Sequence, residues 1–177
     1  PVCYGDALFG MWKGFDEMIR WGWIDACPRL VAAEVSGSLS AAADQNLDMP
    51  PAVSRNSKSI ANSIDVTRGT FQAHEALKRS NGCAIALDDT ALVDAKNKLA
   101  RTSGLSVETS SAAAFAAIDV LASRNIIGPE DNVLAVLTAS GLKDYGTSGT
   151  DRLEALEVDP SLSSVLGALS NAYGFHV

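Results

Sequence analysis

The run of residues 132–138 (NVLAVLT) limits the choice of fold more than any other part of the sequence. It is apolar almost throughout and ends in a polar turn that contains Ser140 and Gly141. Uninterrupted apolar runs of this length are typical of strands that are buried on both faces, as in a parallel sheet with helices above and below. Three other short runs are interpreted as strands of the same sheet: 29–35, 83–87 and 105–107.

Helical patterns separate these runs. Apolar residues recur at every third or fourth position over residues 8–19, and Asp6 is in position to cap the helix that this spacing predicts. A second helix is predicted over residues 70–79. Ser110 or Ser111 is predicted to cap an alanine-rich helix, which is apolar nearly all round and is therefore expected to be buried. The alternation predicts the α/β class, with an open, mostly parallel sheet and helices on both faces.

The length of 177 residues is enough for one domain with a substantial core. We therefore predict a single α/β domain over residues 1–177, with its core in residues 1–145 and a helical tail in residues 146–177. The sequence begins PVCYGDAL, which is typical neither of a signal peptide nor of an initiator region. It reads as the middle of a longer protein, and we expect the chain to be the C-terminal portion of an enzyme.

Composition and charge exclude several kinds of function. The net charge is −7 and no long run carries one sign, so binding to nucleic acid or to an anionic membrane surface is not expected. No apolar stretch reaches the roughly 20 residues that span a bilayer. Three widely separated cysteines and two histidines predict neither a disulfide framework nor a metal site, so we expect reduced thiols and a cytoplasmic protein.

Three segments stand where a strand is expected to end and a turn or helix to begin: 4–8, 108–111 and 138–141. Ligands of open α/β sheets bind at the carboxyl ends of the strands and at helix N-termini. Residues 4–8 offer successive backbone N–H groups at a helix N-terminus, as phosphate binding requires, although an ordinary capped turn has the same sequence character. Thr138 alone is equally consistent with a strand-end hydroxyl that bonds its own turn.

Five blocks of sequence, in the order found in a known family, are spread over residues 1–145. Together they resemble the threonine synthases, which are pyridoxal-phosphate enzymes of fold type II. The resemblance implies the large-domain architecture of that fold type and pyridoxal 5'-phosphate as the cofactor of the complete enzyme. The blocks are 1–15 (PVCYGDALFGMWKGF), 28–31 (PRLV), 59–61 (SIA), 100–113 (ARTSGLSVETSSAA) and 137–144 (LTASGLKD).

The resemblance implies roles for matching positions. Backbone amides around Gly5 would hold the cofactor phosphate, and Thr138 would face the pyridine nitrogen, which a neutral partner leaves largely unprotonated, as suits elimination and replacement. Asp6 departs from the usual loop, because a carboxylate near a dianionic phosphate is unfavourable unless it turns away to cap the helix. The cofactor-binding residues implied in this way are Tyr4, Gly5, Asp6, Ala7, Leu8, Glu108, Ser110 and Thr138.

The Schiff-base lysine of this family lies ahead of the phosphate loop, so we expect it before Pro1. Lys58 resembles it only superficially and is interpreted as a surface lysine. Without the Schiff-base lysine we expect no catalytic residue in this chain and no activity of the chain alone. The expected partners are a small amino-acid substrate and an N-terminal half or complementary chain, and exposed apolar surface favours a homodimer.

For the complete enzyme, the resemblance implies replacement of the phosphate of O-phosphohomoserine by water, which gives threonine. Two alternatives stay open. Amino-acid ammonia-lyases and other elimination or replacement enzymes share these motifs, and a chain without the lysine is also compatible with a non-catalytic α/β module for binding or assembly. A dinucleotide-binding domain is disfavoured, because no G-x-G-x-x-G motif follows a strand.

Overall fold

The computed structural model describes residues 1–54, 58–144 and 156–175. The chain divides into two compact units, Pro1–Asp144 and Tyr145–Val177. Short 3₁₀ turns occur at Asn62–Ile64 and Gly141–Lys143. The longer elements, in chain order, are α1 (Asp6–Arg20), β1 (Val31–Glu34), α2 (Ser38–Asp44), α3 (Phe71–Arg79), β2 (Cys83–Ala86), α4 (Asp89–Ser103), α5 (Thr109–Ser123) and α6 (Leu162–Tyr173).

The two strands β1 and β2 pair in parallel, with Val31 opposite Cys83 and Glu34 opposite Ala86. Between them the chain passes through α2 and α3, which provide the long connection that a parallel pair requires. These strands correspond to the first two of the four predicted. The predicted α/β class with a parallel sheet is therefore confirmed.

Side chains alternate between the two faces of this sheet, and each face packs against helices. Ala33 and Ile85 belong to one core cluster, together with residues of α4 and α5. Ala32 and Ala84 belong to a second cluster, together with residues of α1, α2 and α3. The two-residue period of a strand therefore places helices on both faces, as predicted.

The other two predicted strands do not form. Residues 105–107 and 132–138 contain no strand, and Val107 instead makes a single antiparallel bridge to Ser140. The run 132–138 is not buried on both faces either, because Leu137 packs against the core whereas Leu134 is 91% exposed. A strand needs a neighbour for its backbone N–H and C=O groups, and among the described residues no backbone hydrogen bond reaches this run.

Two predicted helix caps are wrong. Gly5, with left-handed backbone angles (φ 104°, ψ 11°), is the N-cap of α1, and Asp6 is already the first helical residue. α5 begins at Thr109, so neither Ser110 nor Ser111 caps it. Both serines are buried in the first turn of α5, and their hydroxyls contact other segments. The prediction that this alanine-rich helix is buried is confirmed.

The second unit contains α6, which ends at Gly174 in left-handed conformation (φ 64°). At its start, Ser161 Oγ accepts a hydrogen bond from the N–H of Ser164 (3.2 Å). A helix is therefore present in the predicted tail, while a single domain over the whole chain stays a prediction. Within the residues that the structure describes, no helix is both long and apolar enough to cross a bilayer.

We expect Leu92→Ala to lower the free energy of unfolding by about 2–5 kcal/mol, because the Leu92 side chain is fully buried on α4 and its loss leaves a cavity. Leu134→Ala removes the same atoms from a side chain that is 91% exposed, so its effect should stay within about 0.5 kcal/mol. Urea unfolding of the 177-residue chain, followed by circular dichroism, measures both. Equal losses would contradict this assignment of the core.

Candidate functional site

An open cleft of about 470 Å³ lies at the start of α1. It brings together the three predicted segments 4–8, 108–111 and 138–141, which are far apart in sequence. Their use in cofactor binding stays a prediction. All eight predicted site residues line the cleft: Tyr4, Gly5, Asp6, Ala7, Leu8, Glu108, Ser110 and Thr138.

Backbone hydrogen bonds fix the loop before α1 against the sheet. The N–H of Val2 donates to the carbonyl of Ala33 (2.8 Å), near the carboxyl end of β1. The carbonyl of Tyr4 accepts from the N–H (3.1 Å) and the hydroxyl (2.9 Å) of Thr70, the N-cap of α3. The cleft therefore opens at the carboxyl side of the sheet, where open α/β folds bind ligands.

Two features require glycine at position 5. Its φ of 104° is one that other residues rarely adopt, and a Cβ there would lie 2.2 Å from the Cβ of Ala73. The Gly5 carbonyl accepts the first helical hydrogen bond of α1, from the N–H of Phe9 (2.9 Å). The N–H groups of residues 6–8 precede that bond and have no partner among the described residues. Such amides, at the positive end of a helix, suit an anion.

Charges of both signs line this cleft. Asp6 lies in the first turn of α1, and no side chain caps this helix, so Asp6 does not make the capping hydrogen bond that would turn its carboxylate away from an anion. Its carboxylate is favourable for the helix but opposes an anionic ligand. Glu108 adds a second carboxylate, and Lys143 is the one basic side chain among the described residues that line the cleft. Lys143 therefore offsets part of the negative charge.

The hydroxyl of Ser63 connects two of the predicted residues. Its Oγ lies 2.8 Å from Glu108 Oε1 and 2.7 Å from Ser110 Oγ. Ser63 Oγ is in position to donate in both contacts, so its one proton is shared between the Glu108 carboxylate and the Ser110 hydroxyl. The 3₁₀ turn Asn62–Ile64 thereby fixes the orientation of the Glu108 carboxylate in the cleft.

The hydroxyl of Thr138 is held by α5. Thr138 Oγ1 lies 2.9 Å from the Oγ of Ser111, and the same Ser111 oxygen accepts a hydrogen bond from the N–H of Ala139 (2.8 Å). The N–H of Glu108 donates to the carbonyl of Ala139 (3.1 Å). Three hydrogen bonds therefore join the segment at Thr138 to the start of α5, beside the cleft.

Asp144 ties the end of the same segment to α5. Its Oδ2 accepts hydrogen bonds from the N–H and the hydroxyl of Thr109 (both 2.6 Å) and from Lys96 Nζ (2.5 Å). The Lys96 and Asp144 side chains are only 14% and 13% exposed. Burial raises the pKa of the Asp144 carboxyl, but the hydrogen bonds from Lys96 and Thr109 outweigh it, so this pKa lies below its usual value. The carboxylate also faces the positive end of α5.

Sequence reasoning missed four residues that shape the cleft: Ser63, Ser111, Lys143 and Asp144. The signal for them was position: each lies within two residues of a block that carries the family resemblance, and Ser111 also belongs to the candidate segment 108–111. Their roles depend on partners from other segments, which spacing along the chain does not reveal. Lys58 is exposed, as predicted, and does not line the cleft.

Comparison with known proteins identifies the family. The family model described as pyridoxal-phosphate dependent enzyme matches residues 1–139. The threonine synthase of Methanocaldococcus jannaschii is 30% identical over 149 residues, which cover 81% of this chain and 36% of that protein. The threonine synthase of Methanosarcina acetivorans is 26% identical over 172 residues, which cover 96% and 42%. The crystal structure of a threonine deaminase from T.th. shares the fold, with a TM-score of 0.52 at 16% identity over 70% of this chain and 43% of that one.

The chain thus belongs to the family of pyridoxal-phosphate-dependent enzymes. Within it, the chain is similar to the two archaeal threonine synthases and spans less than half of the length of either. The described residues fit the cofactor of the family. The free amides of residues 6–8 suit its phosphate, the loop at Gly5 leaves no room for a side chain, and Thr138 offers a neutral hydroxyl in the same cleft.

We expect Gly5→Ala to weaken the binding of inorganic phosphate by about tenfold or more, because the added Cβ displaces the loop that aligns the amides of α1. The control is Gly10→Ala, in the interior of the same helix, where no atom lies within 4 Å of the new Cβ. This control should keep its phosphate affinity and gain about 0.5–1 kcal/mol of stability. Amide shifts of residues 6–8 during a phosphate titration measure the affinities. Equal affinities of the two variants would contradict the assignment of phosphate binding to the amides of residues 6–8.

Asp144→Asn should lower the free energy of unfolding by about 2 kcal/mol at neutral pH, because it replaces the carboxylate that pairs with the largely buried Lys96 ammonium by a neutral amide. The pKa of the Asp144 carboxyl is depressed in the folded state, so its contribution is fully present above the ordinary value of 3.8. That contribution disappears as the pH falls through the lower pKa of the folded protein. Urea unfolding across this pH range should show the two proteins converging in acid. A difference in unfolding free energy between the two proteins that does not change with pH would refute the conclusion that the ionised Asp144 carboxylate is its source.

Proposed function

We propose that this chain is the cofactor-binding part of a pyridoxal-phosphate-dependent lyase of the threonine synthase type. The observation that carries the proposal is the convergence on one cleft of the free amides of α1, the Thr138 hydroxyl and the Glu108 carboxylate. A phosphate group, a ring nitrogen and a polar substrate group need these three kinds of partner. The similarity to threonine synthases supports the choice of branch within the family.

In this proposal the backbone N–H groups of residues 6–8 hold the phosphate of the cofactor, and Gly5 keeps them pointing into the cleft. Thr138, which lines the same cleft, would present its hydroxyl to the ring nitrogen. Bound pyridoxal phosphate would supply an electron sink for carbanion chemistry at an amino acid. A neutral hydroxyl beside the ring nitrogen suits elimination and replacement, since it does not force a proton onto that nitrogen.

Two further residues of the cleft, Ser63 and Lys143, orient the Glu108 carboxylate and attract an anionic group of the substrate. Ser63 holds the Glu108 carboxylate in one orientation, in which it can accept a hydrogen bond or balance a cationic group. Lys143 attracts an anionic substrate group toward the same cleft. A substrate with both an ammonium and an additional anionic group matches this pair, and O-phosphohomoserine has both. We therefore propose the conversion of O-phosphohomoserine to threonine and phosphate as the reaction of the complete protein.

The proposal assigns the Schiff-base lysine to a part of the protein outside residues 1–177. Among the described residues Lys143 is the lysine that lines the cleft, but it follows Thr138 in the sequence, whereas the resemblance places the Schiff-base lysine ahead of the phosphate loop. The partner is therefore an N-terminal portion that carries this lysine. We also propose a cytoplasmic location, which the three free cysteines support, and a homodimer.

The test is an assay of threonine formation from O-phosphohomoserine with excess pyridoxal phosphate. We expect no turnover by the 177-residue chain alone, because no lysine occupies the position of the covalent link. We expect turnover when an N-terminal portion that carries the lysine is added. Lys58→Ala should leave this restored activity unchanged, since Lys58 lies outside the cleft. Turnover by the chain alone that is lost in Lys143→Ala would mean that Lys143 is the Schiff-base lysine and would contradict the proposal.

A further inference from the structure

Ser111 determines how the hydroxyl of Thr138 is hydrogen bonded. It lies in the first turn of α5, is 0% exposed and does not line the cleft. Its Oγ has two hydrogen-bond partners among the described residues, Thr138 Oγ1 at 2.9 Å and the backbone nitrogen of Ala139 at 2.8 Å. Ser111 therefore lies between a fixed backbone donor and a hydroxyl that reaches the cleft.

The direction of these two hydrogen bonds follows from which of the three groups can donate a proton and which can accept one. The N–H of Ala139 can only donate, so the Ser111 oxygen accepts there. The proton of Ser111 then needs an acceptor, because a buried hydroxyl proton without one is costly. Thr138 Oγ1 is the acceptor within reach in the described part of the chain. Ser111 therefore donates to Thr138.

The hydroxyl of Thr138 keeps its own proton free as a result. Thr138 lines the cleft and its side chain is exposed there, so this proton is available to a ligand. The opposite arrangement, in which Thr138 donates to Ser111, would leave the Ser111 proton buried without a partner. It would also make Thr138 an acceptor toward the cleft. The first arrangement therefore favours a ligand that accepts a hydrogen bond from Thr138, and the second favours a ligand that donates one to it.

We propose that Ser111 is a positioning residue that makes Thr138 a hydrogen-bond donor toward the cleft. The cleft then prefers a ligand that has an unprotonated ring nitrogen at this position. This inference rests on the proposed function and adds to it a residue that never touches the ligand. Ser111 acts through Thr138, in a series of hydrogen bonds that starts at the N–H of Ala139 and ends at the ring nitrogen.

The test compares two ligands without an aldehyde, so that no lysine reacts with them. One is 4-deoxypyridoxine phosphate, and the other is its carbocyclic analogue, in which CH replaces the ring nitrogen. Calorimetric titration of the full 177-residue chain is carried out at a pH at which the ring nitrogen is unprotonated. The unaltered chain should bind the nitrogen ligand roughly five- to tenfold more tightly, the usual effect of one hydrogen bond. Ser111→Ala should reduce this preference to less than about twofold.

Ser38→Ala is the matched control. Ser38 is also 0% exposed, and its Oγ accepts from the N–H of Gly69 (3.0 Å) and donates to the carbonyl of Pro51 (2.7 Å). The control loses the same number of hydrogen bonds but lies outside the residues that line the cleft. It should destabilise the chain while it keeps the preference for the nitrogen ligand. Equal loss of the preference for the nitrogen ligand in both variants would overturn the proposal, because general destabilisation of the chain would then explain the loss.

Two measurements keep the proposal falsifiable if Ser111→Ala does not fold. The amide of Ala139 should be protected from hydrogen exchange in the unaltered chain, and rapid exchange would overturn the proposed series of bonds. Thr138→Ser should keep the preference for the nitrogen ligand, and Thr138→Val should lose it. Equal binding of both ligands by the unaltered chain overturns this inference alone. Binding of neither ligand overturns the proposed function and this inference with it.

Discussion

The cleft depends on the hydrogen bonds that the Asp144 carboxylate accepts at the start of α5. This carboxylate accepts two hydrogen bonds from Thr109 and one from Lys96, with most of its surface removed from water. The bonds join the segment that carries Thr138 and Lys143 to the helix start that carries Glu108. Without this carboxylate, two parts of the cleft wall would lose three of the hydrogen bonds that hold them together.

The two helix N-termini near the cleft are used differently. At α5 a carboxylate from the same chain already occupies the positive end of the helix, so the hydroxyls of the first turn are free to bond Ser63 and Thr138. At α1 the N-cap is Gly5, which has no side chain to bond the helix amides. The first amides of α1 therefore have no partner among the described residues, whereas those of α5 include one that is bonded to Asp144.

The sequence predicts what depends on local periodicity and on order along the chain. The strands β1 and β2, the buried helix α5 and the meeting of residues 4–8 with Thr138 all follow from such patterns. The run 132–138 shows the limit, because an apolar sequence favours a strand but forms one only beside another strand. The contact between Asp144 and the first amide of α5 shows the same limit. Asp144 lies 35 positions from Thr109, and no local pattern pairs the two residues.

The exposed run 132–138 has a consequence for the behaviour of the chain in concentrated solution. Its backbone groups lack hydrogen bonds in the described structure, and Leu134 is almost fully exposed. Such a run is a template on which strands from other copies can add, the first step toward ordered aggregates. Glu130 and Asp131 come directly before it, and stacking copies in register would bring these like charges together. Solubility should therefore depend on ionic strength, since salt screens the repulsion that keeps the copies apart.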